Sequence, residues 1–435
     1  MKQYESYKPS GVEFIGDIPK HWEVRKLKYC MKDKITDGPH ETPKFISEGI
    51  PFLSVDGIQN GELVFENCRK ISEKAHKEYS KKALVEYDDI LLGKAASIGK
   101  IARVKVDFEF SIWSPLALIK ANKEVVLPIF LEYSLKTKMV QYQIETLATN
   151  NTQKNISMAD IPRFILTIPP LQEQEKIANF LDTKNKQIEE FIKEKQHQIA
   201  LLEEQKEAII NQAVTKGLDD SVKMKYSGIE WIGDIPEHWK TMKLKYIAKV
   251  YNGATPKSTN KDFWDGDIIW VTPQDISPLK SPYINTSLRT ITKDGYNNCG
   301  TYLVPINSII LTTRAPIGNI AISKTILCTN QGCKSIVVND GYEYKFIYYI
   351  LIASKIILQS LGTGTTFLEL STDKLKAFNI PTAPKNEQIK IIKYIEEEFA
   401  KMDEVIKQIQ KEIDLIKEYK ISLISEVVTG QINVR

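Results

Sequence analysis

The chain has 435 residues, 42% hydrophobic and 26% charged, with a formal net charge of +4. That length allows two or three domains with cores of their own, and that composition excludes a disordered chain. The most apolar stretch, FIYYILIAS at 346–354, is too short to span a bilayer, and the opening MKQYESYKPS lacks the apolar core of a signal peptide.

The first element is a phrase, SGVEFIGDIPKHW at 10–22, that returns as SGIEWIGDIPEHW at 227–239 with ten of thirteen positions identical. Each copy runs on to a shared LKY, at 27–29 and 244–246. After the first copy, DGPHETPKFISEGIPFLSV at 37–55 reads as a polar Thr-Pro-Lys loop before an apolar strand. DDILLGKAASIGKIARV at 88–104 then predicts strand, basic loop, Ile-Gly step and second strand, and TNNTQKNIS at 149–157 is a polar loop. At 166–177 the run LTIPPLQEQEKI sets an Ile-Pro turn before a Glu-Gln step that opens a helix. Ala178, Leu181, Asn185, Ile188, Ile192, Lys195, Ile199, Leu202, Lys206, Ile209 and Ala213 recur at alternating steps of three and four, with three polar interruptions. Gly217 stops the helix.

The second half repeats the plan. NGATPKSTNKDFWDGDIIWVTPQDIS at 252–277, NSIILTTRAPIGNIAIS at 307–323 and TGTTFLELS at 363–371 parallel the three segments of the first. Trp264 and Trp270 could stack on a base, but two tryptophans in an apolar run fit a core better. FNIPTAPKNEQIKI at 378–391 is the second Ile-Pro turn before Glu-Gln. The helix that follows has a seam of Ile392, Ile395, Phe399, Met402, Ile406, Ile409, Ile413, Ile416, Lys420, Leu423 and Val427, ending at Gly430. Two such seams are most simply satisfied by pairing Leu181, Ile188, Ile192, Ile199, Leu202 and Ile209 with Ile395, Phe399, Met402, Ile406, Ile409, Ile413, Ile416 and Leu423.

The expected fold is α/β (α+β): two mixed domains, 1–170 and 218–384, separated by long helices, 171–217 and 385–435, that pair as an antiparallel coiled coil in a pseudo-two-fold repeat. About 40 helical residues reach about 60 Å, so the second domain is expected about a helix length from the first. Returning antiparallel, the second helix would end on the first copy of the phrase, as the first helix ends on the second copy. The phrase is thus expected to be a docking segment.

Charge and side-chain type point to a partner. Segments 173–217 and 387–430 carry 19 acids and 14 bases, so the remaining chain has 45 bases against 36 acids. A surface that meets phosphates needs such an excess. The loops are rich in side chains that donate to phosphates and base edges. The candidates for DNA contact are His40, Lys44, Lys94, Ser97, Lys100, Lys154 and Asn155 in the first domain. In the second they are Lys257, Ser258, Asn260, Lys261, Gln274, Arg314, Asn319, Lys334 and Thr365. His21 and His238, in the repeated phrase with no second ligand near, read as structural. Cys30, Cys68, Cys299, Cys328 and Cys333 show no CxxC pair and no zinc spacing, which predicts buried free thiols in a reducing cytoplasm and no metal. There is no P-loop: GTGTT at 362–366 lacks its lysine. GxGxxG after a strand, HExxH, GxSxG and an adenine-methyltransferase motif are also missing, so the chain reads as a reader and not a catalyst.

GDIPxHW at 16–22 and 233–239, IP…EQ at 168–174 and 380–388, and VTKG/VVTG at 214–217 and 427–430 together resemble the specificity subunits of type I restriction-modification enzymes. The resemblance covers nearly the whole chain. It implies two target recognition domains, each reading half of a bipartite DNA site with an unread spacer. It implies helices that set the spacer and dock two methyltransferase subunits, with restriction/translocase subunits joining for cleavage. S-adenosylmethionine, ATP and magnesium would belong to those partners, none to this chain. The residues alone also leave open a split-off recognition module of a fused methyltransferase-nuclease, a non-DNA repeat scaffold and an unrecognised nuclease.

Overall fold

A computed structural model describes residues 3–150, 154–314, 316–364 and 368–434. The chain divides into two compact units, Met1–Lys195 with Gln410–Arg435, and Gln196–Ile409.

In the first unit, a four-stranded antiparallel sheet has the order Ile101–Arg103, Ile90–Gly93, Leu116–Ile119, Thr36–Asp37. Its two central strands, ILLG and LALI, are buried throughout, which is why they read as continuous apolar runs. A smaller sheet sets Ile50–Leu53 antiparallel to Arg69–Ile71 and parallel to Ser111–Ile112. Helices Glu73–Ala83 and Lys138–Leu147 start where the Ser72 and Thr137 hydroxyls accept from Ala75 N and Val140 N.

The second unit uses the same plan. Ile320–Ser323, Ile309–Thr312, Cys333–Val338 and Ala248–Asn252 lie in the same order, with Tyr283–Ile284 added in parallel at one edge. Its smaller sheet sets Trp264–Val271 antiparallel to Thr290–Ile291 and parallel to Cys328–Thr329. Trp264 and Trp270 are both buried and meet edge to face at 5.1 Å, so they are core.

The long helices span Leu171–Lys216 and Lys385–Val428. On both, every seam position is buried or half-buried. Within the first unit the two run antiparallel: Glu189 meets Lys420 (2.9 Å) and Lys195 meets Glu412 (2.7 Å). Within the second, Lys206 meets Asp403 (2.6 Å), and Ile210, Ala213 and Val214 share a core with Ile391, Ile392 and Ile395. The polar interruptions are therefore satisfied. The lysines lay their stems in the seam and reach a carboxylate on the facing helix, and Asn185 Nδ2 donates to the Tyr133 hydroxyl (2.9 Å).

The repeated phrase seats the helix ends. Trp22 and Trp239 are fully buried, each contributing about 3 kcal/mol or more. In the first unit the second helix ends at Gly430, with φ +79°. A Cβ there would sit 2.3 Å from Pro19 Cδ and 3.2 Å from the Trp22 ring. In the second unit Gly217, with φ +77°, also lies over Pro236 and Trp239, but a Cβ there would sit at an ordinary 3.4 Å from the Trp239 ring and 3.7 Å from Pro236. Left-handed backbone favours glycine at both stops, and at Gly430 the close approach to Pro19 demands it as well.

The Glu-Gln step closes the other side. Glu173, buried, accepts from the Tyr4 hydroxyl (2.6 Å) and lies 2.8 Å from His21 Nε2. Glu387 accepts from Trp239 Nε1 (2.9 Å) and lies 2.8 Å from His238 Nε2. Gln174 and Gln388, both fully buried, accept from Leu127 N and Glu343 N (2.8 Å each) and donate to carbonyls at the helix entrance. The two histidines are structural, as their context predicts. One expectation needs correcting. Ile168 ends a strand before Pro169-Pro170, whereas Ile380-Pro381 lies inside the strand Asn379–Thr382. The second helix entrance is Ala383-Pro384, because strand pairing with Lys240–Lys243 extends through Thr382.

Candidate nucleic-acid interface

The first domain builds a charged cluster where the strand Thr36–Asp37 passes into the Thr-Pro-Lys loop. Gly38 brings that loop against the smaller sheet, since a Cβ there would lie 1.9 Å from Ile112 O. Asp37, buried, is met by Lys82 Nζ at 2.5 Å, His40 Nε2 at 3.1 Å and Lys94 Nζ at 3.3 Å. Burial alone would raise the Asp37 carboxyl. Hydrogen bonds and charge from Lys82 and Lys94 outweigh it and hold the carboxyl below its ordinary value. Three basic groups thus share one buried acid. Asn155 joins this edge through a bridge to Ala95.

Of the other candidates, Lys44 is exposed and Ser97 half-buried in their loops, and Lys154 pairs with Glu145 at 2.8 Å. Lys100 faces elsewhere, into a cleft of about 710 Å³ beside the first long helix.

In the second domain the equivalent step is Asn252-Gly253, and a Cβ on Gly253 would lie 1.9 Å from Asn330 O. Asn252 stands where the first domain has Asp37, and Lys334 lies directly across the strand pair from it. Lys334 is 6% exposed. Burial pushes its ammonium below the ordinary lysine value, with Glu369 opposing that and Arg314 adding to it. Arg314 Nε donates to Glu369 (3.0 Å). Lys334, Asn252, Gln331, Glu369 and Thr372 line one open recess of about 560 Å³.

Lys257, Ser258 and Lys261 are exposed on the preceding loop, where Asn260 caps the turn at Lys261–Phe263. Gln274 is exposed on the short helix Pro273–Ile276. Asn319 donates to the Ser277 hydroxyl (3.1 Å) and borders a helix-side cleft of about 870 Å³. Thr365 lies outside the described residues.

Sequence reasoning missed Asp37, Lys82, Asn252, Gln331, Glu369 and Thr372. The signal for two of them was present: Asp37-Gly38 and Asn252-Gly253 occupy the same place in the two halves. Among the described residues no group of His, Cys, Asp and Glu could hold a metal ion, and no helix is long and apolar enough to cross a membrane. The five cysteines are free, but only Cys30, Cys328 and Cys333 are buried as expected, Cys68 and Cys299 being half-buried; burial pushes the thiols of Cys30 and Cys328 up to about 11 and about 12.

Residues 19–201 and 236–415 match the family described as type I restriction modification DNA specificity domain. The MjaIX specificity subunit of a type I restriction enzyme of Methanocaldococcus jannaschii is 34% identical over 194 residues, 44% of either chain. The MjaVIII specificity subunit of the same organism is 25% identical over 445 residues, covering 96% of this chain and 94% of its own. A solved structure, described as showing complex assembly and conformational transition of the type I R-M system, superposes with a TM-score of 0.67. It covers 95% of this chain and 99% of its own at 15% identity, a likeness of fold.

Proposed function

Because the chain belongs to the type I restriction-modification specificity family, we propose that its domains, 1–170 and 218–384, are target recognition domains that each read one half of a bipartite, asymmetric DNA site. Recognition of the DNA sequence is the work of this family. The helices at 171–217 and 385–435 set the unread spacer and dock two methyltransferase subunits, with restriction/translocase subunits joining for cleavage. The chain itself is non-catalytic and acts in the cytoplasm. S-adenosylmethionine, ATP and magnesium serve the partners.

One observation carries this reading. The two domains share strand order and the anchoring His–Glu and Gln–backbone contacts, yet line the same sheet edge with different polar groups. Constant anchors suit partners that are alike at both ends, and divergent edges suit unlike half-sites. A symmetric dimer, by contrast, reads a palindrome. The candidate contacts from His40 to Thr365 supply donors to phosphates and base edges.

The test is to sequence N6-methyladenine in DNA of cells that express the chain with its methyltransferase partners. A single bipartite motif, modified once on each strand, is expected. Exchanging residues 37–160 for those of a relative should then change one half of the motif. A change in both halves, or a short undivided motif, overturns the reading.

A further inference from the structure

The two domains differ most where a lysine is buried at the sheet edge. In the first, Lys94 is neutralised by Asp37, itself shared with Lys82 and His40. In the second, Asn252 replaces the acid, and the Lys334 side chain makes no hydrogen bond or ion pair with a described residue, Glu369 acting on it only through its charge. Burial of the side chain disfavours the charged ammonium, and a ligand in the recess that accepts from Nζ would offset that cost.

The neighbours say what kind of ligand. The Thr372 hydroxyl donates to Asn252 Oδ1, and the Thr255 hydroxyl donates to Gln331 Oε1. Those bonds orient both amides, leaving Asn252 Nδ2 and Gln331 Nε2, like Lys334 Nζ, as donors without a partner among the described residues. Three donors therefore line one recess, and the Glu369 carboxylate forms part of the same wall. A phosphate would accept from the donors, but Glu369, which accepts from Arg314, adds an acceptor to the wall that a phosphate cannot use. The major-groove edge of a G·C pair offers guanine N7 and O6 as acceptors and the cytosine N4 amino group as a donor. Donors and a carboxylate in one recess supply the groups complementary to both.

We infer that Lys334, with Asn252 and Gln331, reads the N7/O6 edge of a guanine in the half-site recognised by the second domain. This rests on the reading under Proposed function and assigns one base pair within it. Lys334 is then a specificity determinant.

The experiment compares N6-methyladenine maps from cells carrying the complete methyltransferase with wild-type chain, Lys334→Met or Asn252→Asp. Asn252→Asp keeps the lysine but places a carboxylate opposite it, as Asp37 faces Lys94. Wild type should give a bipartite motif with a G·C pair in the half-site of the second domain. Both variants should relax the motif at that single pair, with preference for it falling roughly five- to hundredfold, while the other half-site stays unchanged. Absence of G·C from that half-site overturns the inference, as does an unchanged motif in Asn252→Asp. Loss of methylation spread evenly over all sites, with the motif intact, marks a phosphate contact and also overturns it. Failure of the underlying reading looks different: wild type itself would give no bipartite motif. If Lys334→Met does not fold, Asn252→Asp alone decides, because it removes no buried side chain.

Discussion

Set side by side, the two domains are one scaffold with two electrostatic solutions. The sheets run in the same order, and the glycines at 38 and 253 press the same loop against the same partner strand. Beside those glycines, however, one domain buries an acid among three bases, and the other buries a lysine beside an amide. Backbone and anchors fix where the edge lies, and a few side chains set its charge. Divergence at that edge costs the scaffold nothing as long as each buried charge finds a partner, in the protein or in a ligand.

The sharpest way to break this comparison is to give the first domain the second domain's residue. Asp37→Asn leaves Lys94 buried and uncompensated, and should destabilise the first unit by roughly 3 kcal/mol. Asn252→Ala should cost under about 1 kcal/mol, because Asn252 is exposed. Denaturant midpoints of the two variants measure both. The pH dependence carries the same sign. Asp37 has a folded-state value below its unfolded one, so its contribution is present above about pH 4. It is lost as pH falls through the lowered folded value, and Asp37→Asn should abolish that part of the acid profile. Equal stability of Asp37→Asn and wild type at neutral pH would sink the account of the cluster.

The anchors should behave in the opposite way, as equals. Gln174→Ala and Gln388→Ala each expose a backbone N–H that the amide accepts from, and each should cost about 2 kcal/mol. A difference well beyond about 0.5 kcal/mol in thermal or denaturant unfolding would show that the two helix entrances are not equivalent. The smallest effect belongs to the seam lysines. Lys206 and Lys420 stand 214 residues apart and pair with Asp403 and Glu189, also 214 apart. Each ion pair has an exposed carboxylate, so charge-removing Lys206→Met and Lys420→Met should each shift stability by only about 0.5 kcal/mol. A loss of several kcal/mol in either would mean the seam depends on charge more than on packing.

Much of this architecture was legible in the sequence. The heptad steps marked the seam residue by residue, from Leu181 to Ile209 and Ile395 to Leu423, because the inward face of a helix is set by local periodicity. The repeated phrase announced itself as an anchor because both copies meet the same kind of helix end. Less legible was anything that depends on pairing between distant strands. Nothing near Lys94 in the chain shows that Asp37 neutralises it, and nothing near Lys334 shows that Asn252 lies opposite. Exposure was equally hidden: Lys44 and Lys94 look alike as loop lysines, yet one is in solvent and the other beneath the sheet edge. The polar interruptions of the seam looked like defects, and only the facing carboxylates explain them.

The first compact unit draws on both ends of the chain. Leu423, Ile424, Val427 and Val428 belong to the same core as Trp22 and Leu166, and the Thr167 hydroxyl donates to Val428 O (2.8 Å). The second unit is one unbroken run, 196–409. During synthesis the usual order of domain folding, N-terminal first, is therefore reversed. The second unit has all its residues once residue 409 is made, whereas the first waits with an open apolar face for the helix turns at 423–428. A stop placed before residue 423 would damage the part of the protein made first.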